Sequence, residues 1–401
     1  MTRARATSTI TIPGFQFAAV VSGIKKSGKK DLALIYSERP ATAAALFTTN
    51  RIKAAPVLVG MKRMKGRKIQ VVVVASGNAN ACTGARGVRD AETMCKEVAV
   101  HLGIEPGLVL PSSTGLIGVP LPMEKVRRGI RAACASLSPE GFSQAANAIL
   151  TTDRFVKVAS TTCRLGGRKV TLAGMVKGAG MIAPNMATML AYILTDAAVA
   201  PGCLDAILSR AAEATFNSVT VDGDTSTNDT ALFLANGAAE NPVVRRGSAG
   251  ERTLLRAAQE VMKRLALQLV EDGEGATKVV EIRVEGARSG QDAKKVARTV
   301  ADSKLVKTAF FGEDPNYGRI MAAVGYAGVP LAPERVSVFF DRVAVVKRGV
   351  GVNSNQRAAA RVLGRPSFCV RIQLGQGKAS ASIWTSDLSH EYVRINSAYR
   401  T

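Results

Sequence analysis

Thr188 stands in KGAGMIAPNMATMLAYILTD, the stretch from Lys177 to Asp196, which carries almost no charge. The chain has two histidines, His101 and His390, and neither lies in a polar or glycine-rich cluster. A hydroxyl nucleophile in this stretch must therefore take its base from elsewhere. A threonine that becomes a chain N-terminus by backbone cleavage carries its own base, because the freed α-amine has a pKa of roughly 7.7–8 and can accept the hydroxyl proton. Gly178 and Gly180 let backbone come close to the bond to be cut, where strain and an aimed hydroxyl would assist an N-to-O acyl shift. Lys177 is placed to pair with a substrate carboxylate.

A second chemical candidate is SSTGLIG, where Thr114 and Gly115 are expected in a tight turn after a strand. Such a turn can aim a hydroxyl and backbone N–H groups at a reacting carbonyl, although many strand ends share the pattern. Other matches fail on detail. Gly178-Ala179-Gly180 with Ala183 has dinucleotide-loop spacing, but Pro184 and Asn185 fall where the first helix should run. GIKKSGKK, from Gly23, ends in Lys30 where a phosphate loop needs Ser or Thr. Asp222, Asp224 and Asp229 imitate a calcium loop, but Gly223 breaks the ligand alternation and Phe233 stands at the position of the closing Glu. Cys82, Cys95, Cys134, Cys163, Cys203 and Cys369 are scattered without a C-x-x-C pair, so no metal is expected and a reducing, cytoplasmic setting is.

The string KGAGMIAPNMATMLAYILTDA resembles the processing site of the ornithine acetyltransferase (ArgJ-type) family, and the resemblance runs nearly end to end. It implies cleavage of the Ala187–Thr188 bond with Thr188 as nucleophile, and Thr114 with Gly115 as the oxyanion hole. It also implies that Thr151, Lys177, Thr188, Glu274, Asn396 and Thr401 bind substrate. The chain departs from the family's Thr-Thr-Asp-Thr-Phe-Pro-Lys at Arg154 and Val156, and carries Tyr317 in place of the usual Trp. The implied reaction passes the acetyl group of N2-acetylornithine through a Thr188 ester to glutamate, in arginine biosynthesis. No cofactor is implied, with acetyl-CoA as a further acetyl donor in bifunctional members, and the two chains are expected to assemble as an α2β2 heterotetramer.

The elements that must position these residues read as an α/β protein. The expected architecture is a layered αββα sandwich with a smaller C-terminal α/β subdomain, cut into α and β chains. The expected divisions are 1–187, the α chain and first half of the core; 188–279, which completes the core; and 280–401, whose tail returns to the site. Ile69–Ala75 reads as a buried strand, a helix is expected from near Asp90 to Gly103, and a long helix ends before Gly273–Gly275, placing Glu274 at its exit. The stretch from Gly290 reads as helix, strand and glycine-rich turn, and YVRIN near the end reads as a docked strand.

The formal charge is +23, with five of eight residues basic from Met61 to Lys68. Stacking aromatics and a nucleic-acid module are both missing, so the run is expected to be a solvated surface, with no nucleic acid as partner. No apolar run reaches the roughly 18 residues of a membrane span, so no membrane partner is expected either. Two other function classes stay open at this level: a self-processing N-terminal-nucleophile aminopeptidase or amidase, and a basic nucleic-acid binder.

Overall fold

The structure, a computed structural model, describes residues 9–182 and 189–398. In chain order the first part holds β1 (Phe15–Val20), β2 (Leu32–Phe47), α1 (Ala55–Arg63), β3 (Lys68–Asn78), α2 (Gly84–Leu102), β4 (Val109–Leu116), α3 (Met123–Cys134) and α4 (Phe142–Ala148). It continues with β5 (Lys157–Leu165), β6 (Arg168–Lys177), β7 (Leu190–Thr195), α5 (Pro201–Ala214), β8 (Thr230–Ala235) and α6 (Ala249–Glu271). The second part holds β9 (Val279–Ala287), α7 (Gly290–Asp302), α8 (Lys304–Phe311), α9 (Tyr317–Gly325), β10 (Ser337–Phe340), β11 (Val343–Lys347) and β12 (Val350–Gly351). It closes with α10 (Gln356–Leu363), β13 (Ser367–Gln373), β14 (Ala379–Ser386) and α11 (His390–Ala398).

The strands of the first part form one hydrogen-bonded path, β4-β3-β2-β8-β7-β6-β5, with β1 beside β2. Strand β2 makes that path fold over on itself. Its first half pairs with β3 as far as Tyr36, the register then shifts, and its second half, Thr42–Phe47, pairs with β8. Residues from both ends of the path consequently meet in one core: Phe17, Ile35, Val72 and Val74 from one side, Met175, Tyr192, Leu194 and Leu232 from the other. The alternate residues of the same strands face outward. Val71 and Val73 pack on α2 and α3, while Ala191, Ile193 and Phe233 pack on α5 and α6. The result is the expected helix–sheet–sheet–helix sandwich. Strands buried on both faces read as unbroken apolar runs, which is why IQVVVVA shows no alternation.

The second part has its own sheet, β12-β11-β10-β13-β9-β14, and its own core. In β9, Val280, Ile282 and Val284 point into that core, and Glu281, Arg283 and Glu285 do not. Strand β14 ties the two parts together, with Trp384 bridging to Val219 and packing on the first core.

Several local expectations are corrected. KLVKTAFF is not a strand but α8, started by the Ser303 hydroxyl, which accepts from the Val306 N–H; its apolar residues fit helical as well as strand spacing. YVRIN is not a docked strand but part of α11. Ser389 accepts from the Glu391 N–H, and Arg394 pairs with Glu391 one turn away, a spacing that helices reward and strands do not. Helix α2 begins at Gly84, a turn and a half before Asp90. Gly178-Ala179-Gly180 follows β6, which runs antiparallel to β7, so the parallel crossover that a dinucleotide loop needs is not formed there. The basic run is surface, with Lys62, Lys65, Arg67 and Lys68 exposed, Lys62 paired to Glu92 and Arg67 to Asp205.

Candidate active site

Strand β6 ends at Lys177, which lies in register with Leu190, the first residue of β7. The chain between them contains residues 183–188, so Ala187 and Thr188 lie outside the described residues, as does Thr401. The residues around the two ends of that stretch are described.

On one side stands Lys177, 5 % exposed, whose ammonium donates to Thr114 Oγ1 at 3.2 Å and to Thr151 Oγ1 at 2.8 Å. Three of the expected site residues, from β4, the α4–β5 loop and β6, are thereby in direct contact. Thr114 and Gly115 do not form a free turn. They end β4 in a bulged parallel register opposite Ser76, Gly77 and Asn78 of β3. Gly115 has φ +132°, and a Cβ there would lie 2.3 Å from the carbonyl carbon of Gly77. Only glycine fits that approach. Asn228, just before β8, fixes the same corner, its amide donating to the carbonyls of Ala79 and Ser113 at 2.6 and 2.8 Å.

On the other side, Glu274 leaves the exit of α6 as expected, half-buried. Its N–H donates to the Ala179 carbonyl at 2.9 Å. A Cβ on Gly180 would meet the Glu274 carboxylate at 2.6 Å, so this glycine makes room for a carboxylate. Asn396, on α11, donates to Glu274 Oε2 at 2.8 Å. The helix that carries it is held by Ser389, which donates to the Gly275 carbonyl at 2.6 Å, and by Tyr392, which reaches Asp222 at 3.4 Å. Asp222 also accepts from the Met181 N–H at 2.6 Å. Helix α11 therefore lies against Glu274 and Gly275.

Beneath Lys177 lies an ionic chain, buried at Asp153, Lys157 and Asp272 and reaching the surface at Arg154, whose part in the site the sequence did not reveal. Asp153 accepts from the N–H groups of Thr151 (2.9 Å) and Gly178 (2.7 Å) and from Lys157 (2.6 Å), and sits 4.0 Å from Lys177. Lys157 also pairs with Asp272, which in turn holds Arg154 at 3.1 Å. Arg154, one of the departures from the family pattern, thus caps the exit of α6. Burial pushes the Asp153 carboxyl up, but Lys177 and Lys157 outweigh it and bring the group down to about 2. Burial pushes Lys177 down, and Asp153 opposes that. Asp229 precedes β8 and accepts from the Met189 N–H at 3.0 Å; burial drives its carboxyl well above the usual range. Among the described residues no cluster of His, Cys, Asp and Glu could hold a metal ion, and no helix is long and apolar enough to cross a membrane. Cys82 is exposed and free.

The arrangement offers a hydroxyl beside a glycine for a developing oxyanion, a cation behind it, and a carboxylate–amide pair opposite, all flanking the ends of the stretch that contains Thr188. Comparisons with known proteins identify the family. A family model described as the ArgJ family matches residues 16–401. The arginine biosynthesis bifunctional protein ArgJ of Geobacter sulfurreducens is 52% identical over 393 residues, covering 98% of this chain and 100% of that protein. The protein of the same name from Symbiobacterium thermophilum is 49% identical over 395 residues, covering 98% of each. The crystal structure of arginine biosynthesis bifunctional protein ArgJ from Bacillus halodurans is 36% identical, with a TM-score of 0.50 over 52% of this chain and 98% of that one. Matched by the family model over nearly its whole length and about half identical to two of the family's proteins, the chain belongs to the ArgJ family.

Proposed function

We propose that Thr188, freed by cleavage of the Ala187–Thr188 bond, is the nucleophile with which this arginine-biosynthetic acetyltransferase moves the acetyl group from N2-acetylornithine to glutamate. The Thr188 hydroxyl attacks the acetyl carbonyl; its proton passes to the α-amine and on to the departing nitrogen. The C–N bond breaks and ornithine leaves. The glutamate amine then attacks the Thr188 ester carbonyl, a C–N bond forms, the ester C–O bond to Thr188 breaks, and a proton from the attacking amine passes through the Thr188 α-amine to restore the hydroxyl as N-acetylglutamate departs. Thr114 and Gly115 hold the oxyanion in both halves, and Thr151, Lys177, Glu274, Asn396 and Thr401 hold the amino acid. The observation that carries this assignment is the convergence of Thr114, Thr151 and Lys177 at the start of β7, two residues beyond position 188.

Acetyl-CoA, in the same reading, acylates the same threonine, which is how one site would serve the two activities implied by the word bifunctional in the relatives' names. No other cofactor is needed. Residues 1–187 form the α chain, 188–279 complete the core, and 280–401 form the C-terminal subdomain; a solved relative that spans about half of this chain fits two separate pieces. We assign an α2β2 assembly in the cytoplasm, with small amino acids rather than nucleic acid or membrane as partners. An aminopeptidase with the same nucleophile logic is disfavoured, because the near-complete matches are to arginine-biosynthetic proteins.

The kinetic test is exchange. Enzyme, N-acetylornithine and labelled ornithine, without glutamate, should produce labelled N-acetylornithine, and initial rates with glutamate should give parallel double-reciprocal lines. Intersecting lines with no exchange would mean direct transfer in a ternary complex.

A second expectation concerns α11. A hydrogen bond to a charged group contributes roughly 1.5–3 kcal/mol, so Asn396→Ala should lower kcat/KM about ten- to a hundredfold. Removing residues from Ala398 onward should impair transfer in the same way, with cleavage complete in both proteins because cleavage needs no substrate. Full activity of a cut, truncated enzyme would remove the tail from the site.

A further inference from the structure

The ammonium of Lys177 has three protons, and the structure shows where two of them go. Two are donated to the hydroxyl oxygens of Thr114 and Thr151, and the third side of the group faces Asp153 at 4.0 Å. A hydroxyl oxygen that accepts from an ammonium must turn its own proton elsewhere. For Thr114 and Thr151 the remaining direction is away from Lys177, and in the proposed site that leaves the Thr114 proton free to donate to the oxyanion. This works only while Lys177 is charged, since a neutral amine also accepts, and the hydroxyl protons could then turn back to it.

Lys177 is buried, which favours its neutral form. The titratable groups facing it are Asp153 from the loop before β5, Lys157 of β5, Asp229 before β8 and Glu274 after α6, with Lys25 of the β1–β2 loop near enough to be affected by it. Among the carboxylates, Asp153 exerts the largest pull. It is also the only one of them bonded to the backbone of both neighbouring segments, at Thr151 and Gly178.

Building on the proposed function, we infer that Asp153 is a positioning residue for acyl transfer: it keeps Lys177 charged and fixes the Thr151 and Gly178 backbone so that the Thr114 hydroxyl proton points at the oxyanion. Lys177 thereby acts on the reaction through Thr114, beyond any contact with a substrate carboxylate.

The test compares kcat and KM against pH for the cut wild-type enzyme and for Asp153→Asn, with a thermal melt for each. The variant should be cut, should lose about tenfold or more in kcat at pH 8 with a smaller change in KM, and its alkaline limb should move down by roughly one pH unit. The direction follows from sign: removing a negative neighbour lowers the Lys177 pKa, so its charge is lost at lower pH. In a Thr114→Val background the same change should cost much less, because the hydroxyl that Lys177 aims at the oxyanion is gone. An alkaline limb that stays in place, or an equal loss in both backgrounds, would overturn the inference and leave Asp153 as mere scaffolding. Lys157 loses one of its two carboxylates in the single variant; if that protein does not fold, Asp153→Asn/Lys157→Met removes the buried pair together and is judged by the same two readouts. A wild-type enzyme that never acquires an acetyl group would instead refute the underlying assignment of Thr188.

Discussion

Thr188→Ala is expected to remain a single chain and to transfer no acetyl group, whereas Thr188→Ser should be cut, more slowly, and keep part of its activity. In the proposed mechanism one side chain serves both reactions. In cleavage its hydroxyl attacks the preceding carbonyl, and in transfer the same oxygen carries the acetyl group while the newly freed amine moves protons. Alanine removes the oxygen, and neither histidine stands in the described site to take over: His390 packs edge-on against Phe311, and His101 lies in the last turn of α2. Electrophoresis shows the first outcome and product assay the second. An uncut Thr188→Ala protein with substantial transfer activity would show that the nucleophile is elsewhere.

Thr114→Val should lower kcat by about 10² to 10³ with a much smaller change in KM. Valine keeps the shape and the β propensity of this strand position while removing the hydroxyl that Lys177 polarises. Thr114 is almost fully buried at the bulged end of β4, so the test needs a folded protein, and a melt near that of wild type is the control. If kcat is unchanged in that folded protein, Thr114 is structural and the oxyanion is held by other donors. Should KM rise instead while kcat holds, Thr114 contacts the bound amino acid and not the transition state.

Much of the fold is legible in the order of the residues. The unbroken Ile69–Ala75 run marks a strand buried on both faces, and alternation in VEIRVEG marks β9. The failures share a cause. KLVKTAFF and YVRIN are short enough that apolar spacing fits both periods, and their helices are decided by the Ser303 and Ser389 hydroxyls and by tertiary contacts such as Tyr392 with Asp222. At the site, the residues themselves single out Thr114 and Lys177, the family resemblance adds Thr151, Glu274 and Asn396, and the structure joins these five in two clusters. Gly115 stands out in SSTGLIG as a turn residue, and the structure supplies a different reason for it: no side chain fits its approach to Gly77. Asp153 and Asp272 are not, because nothing local marks a carboxylate whose partner lies elsewhere: Lys157 meets Asp272 across 115 positions of chain. Asp229 resembles only an imperfect calcium ligand in the sequence, although its place in the fold is set by the Met189 N–H forty residues earlier.

The central claim is that this enzyme works as two chains with the acetyl group passing through Thr188. Intact mass of the purified protein, taken before and after incubation with N-acetylornithine alone, tests it in one experiment. The expected result is two masses of about half size, the larger beginning TMLAYI, and a gain of one acetyl group on that chain alone, accompanied by release of ornithine and lost again when glutamate is added. A single uncut mass in active enzyme, or an acetyl group found only on the other chain, would contradict it.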